Sequence, residues 1–386
     1  RFAHYRVAQA EMEVVKKFID KMKGADLIKE STSEWAMPMM LLQKPDDPRE
    51  RRPVVNCKYL NEMQECQATF LPRIDDLLDR FSSKKRYLSK LDCTQFFFQI
   101  PLDEDSKQYC SFSTPIGNWS SNVMLQGDAN APQEAQRLLM HVLRDIEDAF
   151  CLIDDIGLAH EELEQHLLDL EEIFKRLLAI GVTLRPDKIE ILSEKLDYLG
   201  YTILAGGTMK ITDEKVEAVR NWPRPRTVAE VRSFIGFASF VRRFVCGFSE
   251  IARPLLDLMK QDKMAKSDWT RECEVSFRNL KHAITSEPCL IVPDPQNGTM
   301  HLFTDASEHS LGYVLACELD DEKTGRKVLK PCGYGSRLFR GSEKNYSITE
   351  KEIVAAVWSI RKNRPYLYGQ TFRLHTDNES VYHVLK

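Results

Sequence analysis

The sequence lacks the features of a membrane protein, a zinc-binding protein or a secreted disulfide-rich protein. Its 386 residues contain no run of about 18 uninterrupted apolar residues, which excludes a membrane-spanning helix. The ten cysteines are scattered without the C-x-x-C or Cys/His spacing of a zinc site, and they are typical of small buried side chains in a reducing compartment. No signal-peptide pattern follows Arg1, which suggests a fragment of a longer precursor.

The chain also lacks an excess of positive charge. Its formal net charge of -4 argues against a generally basic protein that coats nucleic acid. Affinity for phosphates nevertheless depends on where Lys and Arg lie, and basic clusters occur at 49–52, 84–86, 224–226 and 242–243. Each cluster is as typical of a solvated surface as of a phosphate-binding groove.

The length is sufficient for two or three packed domains, and the sequence pattern changes twice along the chain. Helical and strand-like segments alternate up to residue 205. A Pro-rich linker at 222–226 and a mainly helical region follow, and a second Pro-containing break at 292–295 precedes strand-like segments. We therefore predict a multidomain α/β (α+β) protein with domains at 1–205, 206–290 and 291–386.

Helical periodicity is strongest in two places. Apolar spacing predicts a helix over 8–23 that ends at Gly24. A longer helix before Gly181 has a single apolar stripe, which we predict to be core. The stripe consists of Leu163, Leu167, Leu170, Phe174 and Leu177. A capping box at 227–230 predicts the start of a third helix that runs to about residue 245.

Two adjacent acids, Asp154 and Asp155, interrupt an apolar run and predict a β-hairpin with a charged tip. Most such turns have no chemical role. A third acid, Asp92, ends another strand-like run about 60 residues earlier. Three carboxylates at strand ends can hold two divalent cations, which is what in-line phosphoryl transfer between nucleotides requires.

Several further motifs occur in a fixed order around these acids: 52–61 (RPVVNCKYLN), 71–78 (LPRIDDLL), 89–101 (SKLDCTQFFFQIP), 130–132 (NAP), 184–188 (LRPDK) and 198–201 (YLGY). With them, the chain resembles the reverse transcriptase and RNase H portion of a gypsy-type long-terminal-repeat retrotransposon Pol polyprotein over essentially its whole length. The resemblance implies a right-hand polymerase fold of fingers, palm and thumb, followed by an RNase H-like α/β domain truncated at its C-terminus.

The resemblance assigns roles to individual residues in the polymerase part. Asp92, Asp154 and Asp155 would hold two Mg²⁺ ions, with Mn²⁺ as a possible substitute. The nucleotide-binding residues would be Arg52, Lys44, Phe97, Gln126, Gly127 and Lys188, and the primer grip would be Leu199, Gly200 and Tyr201. Phe97 would exclude a 2′-hydroxyl by steric clash, whereas we expect its neighbours Phe96 and Phe98 to be core. An ordinary packing role remains open for Tyr201.

The C-terminal region has its own acids. Asp305 and Asp377 each end a strand-like segment, and a helix with a capping box at 347–350 lies between them. Glu350 and Glu352 are both candidates for the RNase H acid on this helix. We choose Glu352 because it directly precedes the apolar run that the family motif shows. These three acids match the RNase H arrangement, which also uses two metal ions. The family's fourth acid would lie beyond Lys386, so we expect weak or no RNA cleavage by this fragment.

Three positions depart from the family pattern. Leu152 stands where most relatives have Tyr or Phe ahead of the paired acids, and Gln126 resembles the retroviral version rather than the gypsy version. Asp128 adds a negative charge near the expected nucleotide site. Leu152 raises the question whether the polymerase is tuned or is losing its activity.

The expected function is an RNA- and DNA-templated DNA polymerase with a linked RNase H that degrades the RNA of RNA/DNA hybrids. The expected partners are an RNA template, a DNA primer, the hybrid and dNTPs, together with other Pol products such as protease and integrase, or a second copy of the chain. The expected location is the cytoplasm, within virus-like particles. The alternatives are a non-catalytic remnant that serves as a nucleic-acid-binding scaffold, and an RNA polymerase of the same palm architecture, which Phe97 and the RNase H region disfavour.

Overall fold

The computed structural model describes residues 5–43, 50–65, 71–262, 264–265, 268–286, 288–320 and 325–385. The α-helices in this part of the chain are α1 (Met12–Gly24), α2 (Lys58–Met63), α3 (Ile74–Leu78), α4 (Glu104–Lys107), α5 (Ala131–Val142), α6 (Leu163–Ala179), α7 (Asp213–Arg220), α8 (Val228–Phe240), α9 (Phe248–Leu258), α10 (Arg271–Thr285), α11 (Ile348–Lys362), α12 (Arg364–Leu367) and α13 (Glu379–Leu385).

The β-strands of the described residues, also in chain order, are β1 (Ile28–Glu30), β2 (Met37–Gln43), β3 (Arg51–Val55), β4 (Tyr87–Asp92), β5 (Ser111–Thr114), β6 (Gly117–Ser121), β7 (Ala149–Leu152), β8 (Asp155–His160), β9 (Glu190–Ser193), β10 (Lys195–Tyr198), β11 (Tyr201–Leu204), β12 (Thr208–Ile211), β13 (Leu290–Ile291), β14 (Thr299–Ala306), β15 (Ser310–Asp320), β16 (Lys327–Leu338) and β17 (Phe372–His375).

The chain divides into two compact units that are each discontinuous in sequence. Unit 1 contains Arg1–Arg73 and Ser89–Leu192, and unit 2 contains Ile74–Leu88 and Ser193–Lys386. The predicted domain limits at 205/206 and 290/291 follow the linear sequence and stay predictions. A short segment from the first half of the chain thus folds with the C-terminal half.

Unit 1 is built on two sheets. A five-stranded sheet has the order β1-β6-β5-β2-β3, and a four-stranded sheet has the order β7-β8-β4-β9. Helix α1 forms where the sequence predicted it, after one 3-10 turn at Gln9–Glu11. Its buried residues Val15, Ile19 and Met22 follow helical spacing and join the core of the first sheet.

Helix α6 has a different buried face from the predicted one. Leu163 and Leu167 are 40% and 46% exposed, so the prediction that they are core is wrong. The buried side is rotated by one residue, because it runs through His166 and continues with Leu170, Ile173 and Leu177. Apolar periodicity does not detect this face, because its first buried position is a histidine.

His166 is buried because it belongs to a hydrogen-bonded network. Its Nε2 lies 2.7 Å from the Ser89 hydroxyl, and its Nδ1 lies 3.0 Å from Nδ1 of His160. The far nitrogen of His160 is 2.8 Å from an Asp169 carboxylate oxygen. Burial lowers the pKa of His166 to about 4, so its ring is neutral at pH 7. The network fixes α6 to β4 and β8.

Unit 2 contains two four-stranded sheets, β10-β11-β12-β13 and β16-β15-β14-β17. In the second sheet, β14 and β17 are parallel, and the other two neighbouring pairs are antiparallel. The hydroxyl of Thr227 accepts from the Glu230 amide, which starts α8 at the predicted place. The helix ends at Phe240 rather than near 245, and a 3-10 turn at Arg242–Phe244 follows.

Two general expectations can be compared with the described residues. None of their cysteines forms a disulfide, and all are buried apart from Cys246 and Cys289, for which the prediction of burial is wrong. No helix in the described ranges is long and apolar enough to cross a membrane.

Candidate active sites

The predicted acid hairpin forms in unit 1, but its turn is shifted by one residue. Leu152 pairs with Asp155 across β7 and β8, so Ile153 and Asp154 form the two-residue turn and Asp155 is the first residue of β8. The prediction that both acids lie at the tip is therefore wrong for Asp155. Because β8 neighbours β4, the end of β4 brings Asp92 to the same place.

The three carboxylates form a site with excess negative charge. Burial, followed by the charges of Asp155 and Asp92, raises the pKa of Asp154. Burial also raises the pKa of Asp155, although Lys90 opposes this shift from 3.4 Å. Lys188 lies 3.4 Å from an Asp92 oxygen, so two lysines face three acids. This set of oxygen donors fits divalent cations such as Mg²⁺.

Of the three residues predicted to bind phosphates, the structure describes Lys188 and Arg52. Lys188 contacts Asp92 of the acid site itself. Arg52 is an exposed residue of β3, opposite Leu42 of β2. Lys44 lies outside the described residues. The roles of all three in nucleotide binding stay predictions.

Phe97 belongs to a 3-10 turn at Phe96–Gln99 that follows β4. Phe96 is fully buried, while Phe97 and Phe98 are partly buried against two different core clusters. The Gln99 side chain accepts from the Thr183 amide at 2.7 Å and donates to the Thr183 carbonyl at 3.1 Å. Gln99 thereby fixes the turn that carries Phe97, a role that no sequence pattern indicated.

The loop with Gln126 and Gly127 is exposed, and Asn61 organises it. The Asn61 side chain donates to the Gly127 carbonyl at 3.0 Å and accepts from the Ala129 amide at 3.0 Å. Gly127 has φ of +108°, a conformation that favours glycine. Asn61 is a second residue whose contribution sequence reasoning missed.

Asp128, the acid that adds negative charge near the expected nucleotide site, has partners within the protein. It is 9% exposed, and one of its oxygens accepts from the Gln64 side chain at 2.8 Å and from the Asn130 amide at 2.9 Å. These contacts hold the loop just before α5. They explain the carboxylate as a structural group.

The predicted primer-grip residues lie in unit 2, at the turn between β10 and β11. Leu199 and Gly200 form this turn with φ of +49° and +82°. Tyr201 is 3% exposed; its hydroxyl donates to the Phe240 carbonyl at 2.9 Å and its ring stacks on Phe240 at 5.1 Å. The packing role left open for Tyr201 is thus present in the structure.

A second acid cluster lies in the C-terminal part of unit 2. Asp305 lies in β14 and Asp377 just follows β17, and because these strands are parallel their ends meet. One carboxylate oxygen from each of Asp305, Glu352 and Asp377 lies within 4.8 Å of the others. The structure thus brings together the three acids that the sequence singled out.

The choice between the two glutamates of α11 follows from their contacts. Glu350 completes the capping box, since it accepts from the Ser347 amide at 2.8 Å. Glu352 is 5% exposed, and its Oε1 accepts from the Ala306 amide at 3.1 Å. Its Oε2 is buried without a hydrogen-bond partner in the part of the chain that the structure describes. Burial, followed by the charges of Asp305 and Asp377, raises the pKa of Glu352. A buried carboxylate beside two other acids fits the role of a metal ligand.

Comparisons with known proteins agree with this arrangement. Residues 42–203 match the family described as reverse transcriptase (RNA-dependent DNA polymerase), and residues 269–374 match the RNase H-like domain found in reverse transcriptase. The chain therefore contains a reverse transcriptase domain and an RNase H-like domain of the kind found in reverse transcriptases, and it is similar to the Pol polyproteins of gypsy-type transposons.

Two relatives of similar sequence come from Drosophila melanogaster. The Pol polyprotein of transposon 412 is 30% identical over 384 residues, and that of transposon 297 is 31% identical over 384 residues. Each alignment covers 98% of this chain, but only 30% and 35% of the two relatives. The chain thus spans about a third of their length.

Solved structures agree on the fold. A foamy viral protease-reverse transcriptase in complex with double-stranded DNA superimposes with a TM-score of 0.85 at 23% identity, covering 100% of this chain and 66% of that one. The corresponding protein in complex with an RNA/DNA hybrid gives 0.80 at 24% identity, covering 97% and 49%. The prediction of an α/β polymerase fold followed by an RNase H-like domain is confirmed.

Proposed function

We propose that the chain is an RNA- and DNA-templated DNA polymerase, a reverse transcriptase, that adds deoxynucleotides to a DNA primer. The observation that carries the proposal is the convergence of Asp92, Asp154 and Asp155 at the ends of β4, β7 and β8 in a member of the reverse transcriptase family. The rival idea of a non-catalytic scaffold has no support from these residues, since all six predicted acids are present.

Different residues of the chain would bind the metal ions and the nucleotide phosphates. Asp92, Asp154 and Asp155 would hold two Mg²⁺ ions, or Mn²⁺, which supply activation of the primer hydroxyl and neutralisation of the triphosphate. Arg52 and Lys188 carry the positive charge for the nucleotide phosphates, as does Lys44.

The remaining predicted residues would fix the sugar, the base and the primer. The ring of Phe97 would meet the sugar, and Gln126 with Gly127 would lie against the sugar and base. The turn at 199–201 would support the primer end. The substrates of this reaction are an RNA or DNA template, a DNA primer and dNTPs.

The second acid cluster supports a linked RNase H activity on RNA/DNA hybrids. Asp305, Glu352 and Asp377 would hold its metal ions, and the buried oxygen of Glu352 that has no partner within the described ranges supports this assignment. We also propose that the protein acts in the cytoplasm within virus-like particles, with protease and integrase as other Pol products or with a second copy of the chain.

Primer extension on an RNA template with Mg²⁺ tests the polymerase proposal. The parent chain should extend the primer, and Asp154→Asn should reduce extension to background. Asp145→Asn is a matched control, because Asp145 is an exposed residue with φ of +68°, which Asn tolerates. A parent chain without activity, or an Asp154→Asn variant that extends normally, would refute the proposal.

A further inference from the structure

The turn that carries Asp154 contains an unfavourable backbone conformation. Ile153 has φ of +59°, in the left-handed region that β-branched residues avoid because Cβ approaches the neighbouring backbone. Ile153 directly precedes Asp154, so any relaxation of its backbone would move that carboxylate and the start of β8 with it. Such a conformation persists only where surrounding groups hold it in place.

The group that holds it is the side-chain amide of Gln136, in the middle of α5. Its Oε1 accepts from the Ile153 amide at 2.8 Å, and its Nε2 donates to the Cys151 carbonyl at 3.2 Å. Gln136 therefore binds the backbone on both sides of Leu152, at the end of β7. One side chain ties the hairpin end to a core helix.

The surroundings of Gln136 argue against a role as ordinary packing. The residue is 1% exposed, and its neighbours on the inner face of α5 include Ala135 and Leu139, both fully buried. A polar amide in an apolar core is costly unless its hydrogen bonds are made, and here both its donor and its acceptor are used on the acid hairpin.

We propose that Gln136 is a positioning residue for the acid site: it stabilises the left-handed Ile153 and thereby fixes Asp154 and Asp155. This inference rests on the proposed polymerase function. Its distinctive consequence is that the need for Gln136 should decrease when residue 153 no longer resists a positive φ. Glycine adopts this conformation without the steric cost that isoleucine has.

The test is a double-mutant cycle between Gln136→Leu and Ile153→Gly, measured as primer extension over a range of Mg²⁺ concentrations. Gln136→Leu should raise the Mg²⁺ concentration for half-maximal rate, or lower kcat, by about 10- to 100-fold, as is typical for partners that orient metal ligands. The KM for dNTP should change little. Adding Ile153→Gly to Gln136→Leu should recover a substantial part of this loss.

Hydrogen exchange of the peptide covering residues 149–156 gives a readout that does not depend on activity. Gln136→Leu should speed exchange of the Ile153 amide, because its acceptor is lost. Gln136→Glu keeps an acceptor near that amide but loses the donor to Cys151, so we expect intermediate exchange and an intermediate rate. This conservative variant also keeps the test available if Gln136→Leu does not fold.

Val142→Ala is the control for general destabilisation of α5, since it truncates a buried residue near the end of the same helix. It should lower the unfolding temperature without changing the Mg²⁺ dependence. An inactive parent would contradict the polymerase proposal. An active parent with unchanged Mg²⁺ dependence and kcat in Gln136→Leu, or with strictly additive effects in the cycle, would overturn the positioning role alone.

Discussion

Glu352 is buried, and one of its carboxylate oxygens has no hydrogen-bond partner among the described residues, which makes its substitution informative. A buried carboxylate with one oxygen left unpaired lowers stability when no cation is present. Glu352→Gln should therefore raise the thermal unfolding temperature in EDTA, by about 2–4 °C for a gain near 1 kcal/mol. The variant should also lose much of the stabilisation that Mg²⁺ gives the parent chain. Differential scanning fluorimetry with and without Mg²⁺ measures both effects.

Glu350 provides the matched control on the same helix. Glu350→Gln weakens the capping box with Ser347 and should lower stability by about 0.5–1 kcal/mol, independently of Mg²⁺. If Glu352→Gln melted below the parent in EDTA, or if the two variants responded alike to Mg²⁺, Glu352 would be a structural acid.

Phe97 and Phe98 allow a comparable test in the polymerase part. Phe97→Val should admit ribonucleotides more readily, since a smaller side chain leaves room for a 2′-hydroxyl, and we expect a shift of about tenfold or more in the ratio of kcat/KM values. Phe98→Val should reduce stability with little change in this ratio, because Phe98 packs against a different core cluster. Equal selectivity in the parent and Phe97→Val would mean that Phe97 is only core.

The charged residues at strand ends could be predicted from the sequence, whereas the polar residues that fix their position could not. Asp92, Asp154 and Asp155 were identified from apolar runs that end in acids. Asn61, Gln99 and Gln136 are single polar residues in short turns or helices, and their partners lie 66, 84 and 17 residues away in the chain. Hydrophobic periodicity contains no signal for such contacts.

Among the elements, helix α6 shows how far periodicity can predict a buried face. The helix and the burial of Leu170 and Leu177 are confirmed, but the first two turns bury His166 in place of the predicted leucines. A hydropathy pattern treats histidine as polar and surface-exposed, so it cannot detect a ring that is satisfied by Ser89 and His160.

Two identical substitutions on this helix test the assignment. Leu170→Ala should destabilise unit 1 by about 2–5 kcal/mol, because it leaves a cavity in the core. Leu167→Ala should stay within about 0.5 kcal/mol of the parent, since its side chain is 46% exposed. Urea unfolding followed by circular dichroism compares them. A larger loss for Leu167→Ala would restore the original prediction of the buried face.

At the scale of the whole molecule, the grouping of Ile74–Leu88 with the C-terminal half could not be predicted, because each local pattern describes only its own neighbourhood. Within unit 2, Arg243 lies 3.0 Å from Asp75, and the Tyr366 hydroxyl lies 3.0 Å from Asp79. The segment thus contacts both the 3-10 turn after α8 and the RNase H-like domain.

Asp79 makes this grouping sensitive to pH. Burial raises its pKa from 3.8 to about 6, against the lowering effects of Tyr366 and Arg243. Because the folded state holds this proton more tightly than the unfolded state, the stability from Asp79 is fully present below about pH 4 and is lost as pH rises through about 6. Asp79→Asn removes the charge and keeps an oxygen that can accept from Tyr366. It should therefore raise the unfolding temperature at pH 7.5 and have little effect at pH 4.

The neighbouring Asp75→Asn should act in the opposite direction. Asp75 is exposed and paired with Arg243, so its loss should be neutral or destabilising by up to about 1 kcal/mol at pH 7.5. Thermal unfolding of both variants at the two pH values separates the effects. If Asp79→Asn gave no gain at pH 7.5, or the same gain at both pH values, the partly buried Asp79 carboxylate would not limit the attachment of Ile74–Leu88 to unit 2. A gain confined to neutral pH would show that this contact between distant parts of the chain carries an electrostatic cost.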